Sequence, residues 1–592
     1  MGPSSMIENF SFPLILAQDI RITYWLTPVW LLAAGITLGF LLVLLTFVKI
    51  SILQRIPGLN SVSSNRKSFI VGGIILTLVY AGIYGAFLFY INNFTFEIDR
   101  DIQPLIYMLP ICALFGFGAW TLISKKFAGE FTTQFNEGIL KWLNRICIVF
   151  VIFFVVGFPL ARFNGFGIAE PVEEPVELMR SLARLPFSKV LTETHTIPPS
   201  EKSHTGDPVP VDFNGGELKR IRIKTSEPIE IASEPIRAEL LYLLRADPSE
   251  EVQSINPRSS ANGMFKNEPY TEIYINNLGN EPAEVEITVA VGPYYAEVIV
   301  IPFIALMVLV AYLLPLMLAS ALPKVSAIAH STFKTEVSQP LFLLVLLVGA
   351  AFIVTAIYIP YNTFGEDIKM YKDSGLNLLR VMAIFTAVWA ASKSVAEEIE
   401  GRTALTVLSK PVSRRQFILG KFSGISMSVA LMFLILGLWF MIWVAYKPVY
   451  DGQETANKLT DWAQPFAESF NIAPGLFLCF LEIVIFVAIS VAISTRMGIL
   501  ANFLICASIY VLGHLTPMIV QSSVTQFEPV VVFGQLVSTV LPVLDHFDIQ
   551  AAISRNTAVP IAYMAEMLVY TALYSTVAML LSLVFFEDRD LA

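Results

Sequence analysis

The stretch SVAEEIEGRTALTVLSKPVSRRQFILGKFSG, residues 394–424, is the one highly charged segment among the long apolar runs of the second half of the chain. Ser394, followed three residues later by Glu397, predicts a capping box at the start of a short helix. Ser413 and Gln416 predict a second capping box at the start of another helix. A proline just before the second box prevents one helix from running through both segments. The stretch therefore predicts a helix, a corner and a new helix.

The charges of this stretch follow the two predicted helices. Glu397, Glu398 and Glu400 fall in the first turns of the first helix, where the helix dipole favours negative charge. Arg414 and Arg415 fall in the first turn of the second helix, where the dipole disfavours them by about 0.3–1 kcal/mol each. Attraction to anionic lipid headgroups stabilises each basic residue by about 1 kcal/mol. The two arginines can therefore be explained as ordinary charges at the edge of a membrane span. This explanation does not account for the acidic cluster beside them, and a charged corner of this kind suits docking of another protein.

The composition indicates an integral membrane protein. The chain has 592 residues, of which 55% are hydrophobic and only 15% are charged, whereas soluble proteins carry about 25% charged residues. The net charge of −9 argues against a nucleic-acid partner, which would leave a basic surface. A window of about 20 residues, the length that crosses a bilayer core, gives eleven candidate spans. They lie near 26–48, 69–91, 104–124, 146–163, 296–322, 341–360, 376–393, 415–446, 473–494, 497–520 and 560–585.

Lysine and arginine residues predict the orientation of these spans. If the N-terminus is external, eighteen of them lie in the cytoplasmic segments and eight in the opposite short loops. The excess on the cytoplasmic side follows the rule that basic residues are retained there. We therefore expect a multi-pass protein of the cell (inner or plasma) membrane, with the N-terminus and the polar region at 165–294 outside and the C-terminus in the cytoplasm.

The polar region at 165–294 has the pattern of β-strands. In KRIRIK, Ile221 and Ile223 alternate with basic residues, and in EVEITVAV the apolar side chains alternate with Glu and Thr. The segment around Asn277–Pro282 predicts a hairpin between two such strands. Proline-rich connections and one-sided apolar strands suggest a small antiparallel sandwich, acting as a structural or protein-docking module. The expected fold class is a predominantly α-helical polytopic membrane protein of about eleven spans with an inserted β-rich extracytoplasmic domain.

The charged stretch resembles the cytoplasmic coupling-helix region of ABC transporter permeases of the type-2 exporter class. That pattern runs acid, glycine, a helical turn with leucines, proline, a small residue, arginine and Gly-Lys. It is matched by Glu398, Gly401, Leu405, Leu408, Pro411, Ser413, Arg414, Gly420 and Lys421. The resemblance implies that these residues, together with Glu397, Glu400, Arg402 and Arg415, couple the chain to an ATPase. One departure is Arg402-Thr403, where many relatives have glycine followed directly by threonine. We call residues 394–415 the elbow.

The resemblance also implies an arrangement of domains. A six-span permease core covers 341–592, with the elbow between its second and third spans and short external or re-entrant helices near 540–553. A cytoplasmic amphipathic connecting helix precedes the core at 324–340, with Val325, Ile328, Ala329 and Phe333 on one face. Outside the resemblance lie an N-terminal membrane extension of about four spans at 1–164, the β-rich domain at 165–294 and a linking span at 295–323.

A permease of this class is not an enzyme and works with a separate ATPase. Gly420-Lys421 is followed by Phe422, so it does not form the G-x-x-x-x-G-K-[ST] loop that binds nucleotide phosphates. The resemblance implies no cofactor in this chain, with ATP and Mg bound by a cytoplasmic ABC ATPase subunit. It further implies a homodimer or heterodimer of permeases in membrane lipid that exports its cargo. The external domain suits a protein partner outside the cell.

Two other functions remain open at this point. The chain could be a mechanotransmission subunit, in which ATP hydrolysis elsewhere moves the external domain without cargo flux. It could also be a polytopic membrane transferase, for which Asp545, His546 and Asp548 are the candidate catalytic residues. A metal site at these three residues is disfavoured, because the five histidines are scattered along the chain and no second cluster of ligands accompanies them.

Polar residues inside the apolar runs suggest further sites. Glu482 lies in the middle of a span, where an acidic residue costs about 2.5–3.5 kcal/mol. In the functional interpretation, Glu482 lines a possible substrate path or is a proton-sensitive site. In the structural interpretation, it is a glutamic acid that is hydrogen-bonded to a neighbouring helix. Arg380 and Glu566 lie closer to the ends of their predicted spans and can reach the membrane surface. His514 is expected to be a satisfied core residue.

Overall fold

The structure is a computed structural model, and it describes most of the chain. The described residues are 22–53, 71–82, 138–160, 175–184, 189–199, 206–214, 218–233, 244–246, 248, 269–291, 294–359, 361, 366–401, 412–454, 461–521, 541–555, 557 and 559–587. The chain divides into two compact units. One unit comprises residues 1–173 and 304–592 and the other comprises residues 174–303.

The larger unit is a bundle of helices. Its N-terminal helices are α1 (Ile22–Leu53), α2 (Val71–Gly82) and α3 (Ile139–Leu160). The helices that follow the β-rich unit are α5 (Val300–Ala321), α6 (Pro323–Val337), α7 (Pro340–Ile357), α8 (Asp367–Ala391), the short α9 (Glu397–Glu400), α10 (Arg414–Glu454), α11 (Ala463–Phe470), α12 (Ala473–Ser494), α13 (Ile499–Gln521), the short α14 (Gln550–Ser554) and α15 (Ile561–Glu587). A π-helical turn (Ser392–Ala396) joins α8 to α9, and a 3₁₀ turn (Asp545–Phe547) precedes α14.

Eight described helices are long and apolar enough to cross a membrane: Tyr24–Leu45, Ile139–Val156, Ala296–Ala321, Pro340–Ile357, Asp367–Ile399, Arg414–Gln453, Ala463–Ser494 and Ile561–Glu587. Two shorter apolar helices, Val71–Gly82 and Ile499–Leu515, coincide with two further predicted spans. The predicted span at 104–124 lies outside the described residues. The chain is therefore a multi-pass membrane protein, and the predicted helical membrane class is confirmed.

The centre of the bundle is α12, which packs against α8, α10, α13 and α15. It is apolar on all sides, as expected for a helix surrounded by other helices. The predicted connecting helix is α6, which packs along the first half of α10 and buries Val325, Ala329 and Phe333. Proline is the first residue of both α6 and α7, where its missing N–H leaves no unsatisfied donor.

Close packing of α6 on α10 depends on glycine. A Cβ atom added at Gly424 would lie 2.6 Å from the carbonyl oxygen of Ala329 and 2.7 Å from Cβ of Thr332. We expect Gly424→Ala to lower the free energy of unfolding by about 1–3 kcal/mol, because the two backbones must move apart. Gly437 is the matched control on the same helix, since its added Cβ would lie 3.7 Å from Leu476, an ordinary contact distance. Thermal unfolding that is equally affected by Gly424→Ala and Gly437→Ala would contradict this account.

The N-terminal helices pack against each other and against the core. The hydroxyl of Tyr312 on α5 donates to Oδ1 of Asn144 on α3 at 2.5 Å, and Nε1 of Trp30 on α1 donates to the carbonyl of Phe154 at 3.2 Å. Nε1 of Trp25 donates to the carbonyl of Ile442 on α10 at 3.1 Å. The first two bonds hold α1, α3 and α5 together, and the Trp25 bond attaches α1 to α10 of the core bundle.

The smaller unit is a β-sandwich preceded by helix α4 (Pro175–Arg184). Its strands are β1 (Lys189–Ile197), β2 (Asp207–Asn214), β3 (Leu218–Thr225), β4 (Ile229–Ala232), β5 (Leu244–Ala246), β6 (Pro269–Asn277) and β7 (Ala283–Val291). One antiparallel sheet has the order β1-β7-β3 and the other β2-β6-β4-β5. Apolar side chains from both sheets form one core that includes the predicted Ile221 and Ile223.

The predicted hairpin around Asn277–Pro282 is wrong, although both of its strands exist. β6 belongs to one sheet and β7 to the other, so the two strands do not pair. The Asn277 side chain explains the crossing: its Nδ2 donates to the carbonyls of Ile197 and Glu281, and its Oδ1 accepts from the N–H of Gly279. These bonds fold the link into a corner that carries the chain from one sheet to the other.

Candidate functional site

The second helix of the elbow begins at the predicted capping box. The N–H of Gln416 donates to Oγ of Ser413 at 3.3 Å, and the N–H of Ser413 donates to Oε1 of Gln416 at 3.1 Å. Each side chain thus satisfies a backbone donor of the other residue. Phe417 is fully buried and stacks on Phe586, with ring centroids 5.8 Å apart. This prediction is confirmed, and it fixes the direction in which α10 leaves the elbow.

The first predicted capping box is wrong. No helix begins at Ser394, because the chain stays helical from α8 through the π turn into α9. The N–H of Glu397 donates to the carbonyl of Ser392, so the Ser394 side chain has no free backbone donor to accept from. Ser394 is instead buried within the turn. The elbow is therefore a continuation of α8 with one π turn, which inserts an extra residue into the helix.

Arg414 holds the end of the last helix. Its Nη1 donates to the carbonyls of Phe586 at 3.0 Å and Glu587 at 2.8 Å, both in the last turn of α15. The C-terminal end of a helix dipole is negative, so the guanidinium is favoured there although it is disfavoured at the start of its own helix. The Arg414 side chain therefore binds another helix of the same chain.

An ion pair joins the two helices that form the arms of the elbow: Glu398 lies on α9, and Lys421 lies on α10, two turns beyond the start of that helix. Nζ of Lys421 lies 2.5 Å from Oε1 of Glu398, and the Lys421 side chain is 7% exposed. The adjacent Gly420 allows α6 to approach, since an added Cβ would lie 2.6 Å from Cβ of Ile328. The Gly-Lys pair of the sequence pattern therefore serves packing and an internal ion pair.

Among the described residues of the elbow, Glu397 on the first helix and Arg415 on the second carry exposed charges. Gly401 ends α9, and its N–H donates to the carbonyl of Glu397 at 2.8 Å. The backbone of Glu400 is helical. The remaining predicted coupling residues, Arg402, Leu405, Leu408 and Pro411, lie outside the described residues.

A buried amide fixes the π turn. Nδ2 of Asn502 on α13 lies 2.8 Å from Oγ of Ser392, 2.8 Å from Oγ of Ser490 and 2.9 Å from Oγ of Ser494. Asn502 and the three serines are all fully buried. This cluster ties the π turn at the start of the elbow to α12 and α13.

Glu336 of the connecting helix is buried beside the elbow. Nε2 of Gln339 donates to its Oε2 at 2.9 Å, and Oε1 of Gln339 accepts from Nε1 of Trp389 at 3.2 Å. Burial raises the pKa of Glu336 to about 7, although the positive charge of Lys421 opposes this shift. Near neutral pH the side chain is therefore divided between its neutral and charged forms.

The raised pKa of Glu336 predicts a dependence of stability on pH. Because the pKa of Glu336 in the folded chain, about 7, exceeds its ordinary value of 4.5, the folded state binds more protons between these values, and stability falls as the pH rises through that window. Glu336→Gln should remove this fall and be more stable than the wild type above about pH 7, by a difference on the order of 3 kcal/mol. Unfolding at a series of pH values tests this. A Glu336→Gln profile parallel to the wild type would contradict it.

Glu482 lies at the centre of a buried charge cluster. Its side chain is fully buried, and its Oε2 lies 3.0 Å from Nε of Arg380 on α8. Contact of Glu482 with a cargo therefore requires α8 and α12 to move apart. The prediction that Arg380 reaches the membrane surface is wrong, since its side chain is 5% exposed. The helix begins at Asp367 rather than near 376, which places Arg380 in its middle.

His514 and Asp548 complete the cluster. Nε2 of His514 on α13 lies 3.7 Å from Oε1 of Glu482, and Oδ2 of Asp548 lies 4.0 Å from Nη1 of Arg380. His514 is a half-satisfied residue rather than a satisfied one: its Nδ1 bonds to the carbonyl of Tyr510 at 3.0 Å, but its Nε2 has no hydrogen-bond partner among the described residues. The described residues contain no group of three or more ligands suited to a metal ion.

Several of these residues were not singled out by the sequence. Asn502 and Gln339 are common polar residues with no motif around them, and only the fold brings them to their partners. Arg380 and Glu482 could have been paired, because opposite charges within two neighbouring spans are each costly unless they meet.

Comparison with known families agrees with this geometry. Residues 307–591 match the family model described as ABC-2 family transporter protein. A comparison with curated proteins gives no match to the chain. The matched region contains the connecting helix, the elbow and all of the helices that surround α12. Residues 307–591, about half of the chain, therefore form a permease domain of the ABC-2 transporter family.

Proposed function

We propose that this chain is the permease subunit of an ABC exporter, driven by ATP that a separate cytoplasmic ATPase subunit hydrolyses. The observation that carries the proposal is the elbow. Its two arms are joined by the Lys421–Glu398 ion pair, and among the described residues Glu397 on one arm and Arg415 on the other are exposed. Two charged arms that are held together at the end of the spans are suited to contact with another protein.

The elbow is connected to the bundle at several points, which supports its action as a lever. Arg414 attaches it to α15, Asn502 attaches its π turn to α12 and α13, and Gly420 places it against α6. Closure of an ATPase pair on ATP would push on the elbow, and these contacts would pass the movement to the spans. Two permeases, identical or different, would then alternate between inward-facing and outward-facing states.

The partner holds the nucleotide in this scheme. ATP and Mg²⁺ would bind to the ATPase subunit, because the sequence of this chain does not contain the phosphate-binding loop pattern. The contribution of this chain is to bind the ATPase, to transmit its movement and to form the path for the cargo.

Reconstitution with a candidate ATPase tests the proposal. The wild-type chain should bind the ATPase and change its rate of ATP hydrolysis, whereas Glu397→Lys combined with Arg415→Glu should weaken binding at least tenfold. Glu284→Lys changes an exposed charge in the β-sandwich and serves as the control that should bind normally. ATP hydrolysis by the purified chain alone, or normal coupling in the double reversal, would contradict the proposal.

Flux measurements separate the proposed export from mechanotransmission. An exporter requires ATP-dependent movement of a compound across the vesicle membrane. Coupled ATP hydrolysis that moves no compound, but alters the protease sensitivity of the β-sandwich, would instead indicate a subunit that signals to an external partner.

A further inference from the structure

The contact between His514 and Glu482 has an unusual hydrogen-bond pattern. Oε1 of Glu482 and Nε2 of His514 are buried without a hydrogen-bond partner among the described residues, while Oε2 of Glu482 is in the ion pair with Arg380. Glu482 is fully buried at the centre of the bundle. Polar atoms in such a position are normally paired, so the two side chains require a further group between them or on them.

The tautomer of His514 follows from its other nitrogen. Nδ1 lies 3.0 Å from the carbonyl oxygen of Tyr510, and a carbonyl oxygen only accepts, so Nδ1 carries a proton. In the neutral imidazole the second nitrogen is then an acceptor. Nε2 faces Oε1 of Glu482 at 3.7 Å. An acceptor lone pair therefore faces a carboxylate oxygen, and this contact is repulsive unless one of the two atoms carries a proton.

One added proton resolves the contact in either of two ways. On Nε2 it forms an N–H bond and converts the histidine to an imidazolium beside a carboxylate. On Oε1 it forms an O–H bond and converts Glu482 to a carboxylic acid that donates to Nε2. Both forms have the same composition, and both place a hydrogen between acceptors that otherwise oppose each other.

The charges around the pair favour a proton. Arg380 on α8 supplies one positive charge, while Glu482, Asp548 and Asp373 supply three negative charges in the same region. Asp548 is 27% exposed and Asp373 is half-buried, so this excess of negative charge is only partly shielded by solvent, and a proton on the pair reduces it by one. Asp373 adds to this, because one of its oxygens is buried without a hydrogen-bond partner among the described residues.

The other elements that pack against α12 place few further charged groups near His514 and Glu482. Arg380 also interacts electrostatically with Tyr510 on α13 and with Cys479 on α12 itself. The turn before α14 contributes Asp545, which interacts with His514 and with Tyr563 on α15. Glu566 also interacts with Tyr563 and is exposed. α10 carries no charged residue between Lys421 and Lys447.

We propose that His514 and Glu482 form a proton-binding site within the membrane bundle, and that its occupancy controls the packing of α13 against α12. With the proton present, α13 is attached to α12 at this point. Without it, the lone pair and the carboxylate repel, and α13 is released at this level. The proton can exchange at the site because the side chains of Asp548 and His514 are partly exposed, at 27% and 22%.

The site lies on the same helices that hold the elbow. Arg380 is twelve residues before Ser392 on α8, which corresponds to about 18 Å along the helix axis. α13 carries His514 near one end and Asn502, the partner of Ser392, near the other. A change in the packing of α13 would therefore shift Asn502 and the π turn of the elbow that it holds. This consequence does not depend on the cargo or on the direction of its movement.

Infrared difference spectroscopy of the full chain in lipid nanodiscs tests the proposal. Spectra recorded between about pH 5 and about pH 8, the range in which histidine normally titrates, are compared for unlabelled, ¹³C-glutamate and ¹⁵N-histidine protein. We expect the signal of a protonated carboxyl or of an imidazolium. Both Glu482→Gln and His514→Gln should remove it, whereas Glu566→Gln, at an exposed acid on α15, should retain it.

The variants are chosen so that a folding defect does not hide the answer. If Glu482→Gln does not fold, isotope labelling of the wild type and the His514→Gln variant still assigns the signal. Spectra of both variants that match the wild type would overturn the proposal, as would a signal lost in one folded variant and unchanged in the other. Sodium added at constant pH should have no effect. Loss of the signal on adding sodium would show that the site holds a metal cation instead of a proton.

Discussion

Glu482→Leu is expected to lower the free energy of unfolding by about 3–5 kcal/mol, the usual cost of breaking a buried ion pair by removing one partner. The Arg380 guanidinium, which is 5% exposed, would be left with the partly exposed Asp548 and Asp373 to balance it. An arginine cannot lose its proton to relieve this cost. Chemical denaturation in detergent micelles, compared with the wild type under the same conditions, measures the effect.

Replacement of both partners separates the ion pair from simple packing. Arg380→Met combined with Glu482→Leu should recover most of the loss, because apolar residues of similar volume can replace a buried pair at little cost. Glu566→Leu is the control for loss of an acid on a span, and its exposed position predicts a change within about 0.5 kcal/mol. A double variant as unstable as Glu482→Leu alone would show that the pair itself is not the source of the effect.

Asn502→Ala is expected to cost up to about 3 kcal/mol, because it removes the donor shared by three buried serine hydroxyls. We also expect a structural consequence. Ser392 would lose the bond that holds the π turn, and reversion to a regular helix would rotate the elbow by about 100°, the angle of one residue. That rotation would separate Glu398 from Lys421, which lie 2.5 Å apart in the wild type.

The two effects of Asn502→Ala are measured separately. Thermal unfolding reports the loss of stability, and the stimulation of the partner ATPase reports the position of the elbow. Ser508→Ala on the same helix is the control, because its hydroxyl is exposed and bonds only to its own helix at the carbonyl of Leu504. Normal ATPase coupling in a folded Asn502→Ala chain would contradict the role of this cluster in transmission.

Local patterns in the sequence predicted the features that depend on neighbouring residues. The capping box at Ser413, the alternation of Ile221 and Ile223 and the prolines at the start of α6 and α7 each depend on a few adjacent positions. The spans were predicted from the length and polarity of the apolar runs. The same reasoning predicted the second helix of the elbow, whereas the permease family was inferred from the resemblance of the charged stretch to a coupling-helix region.

Features that depend on distant parts of the chain were not predictable in this way. The link at 278–282 has the composition of a hairpin, but Asn277 bonds to the carbonyl of Ile197, eighty residues earlier, and turns the chain into the other sheet. The helix signal at Ser394 was overridden because α8 does not end before it. Arg380 was placed at the end of a span because polar residues at the start of α8 reduce its apolar character.

The most direct test of the elbow as the contact for a cytoplasmic ATPase is the side of the membrane on which it lies. Arg415→Cys and Glu284→Cys introduce exposed thiols in the elbow and in the β-sandwich, and a membrane-impermeant maleimide reports their accessibility in intact cells and in inverted vesicles. We expect Arg415→Cys to react only in inverted vesicles and Glu284→Cys only in intact cells. Reaction of Arg415→Cys in intact cells would place the elbow outside, where no cytoplasmic ATPase reaches it, and would contradict the proposed function.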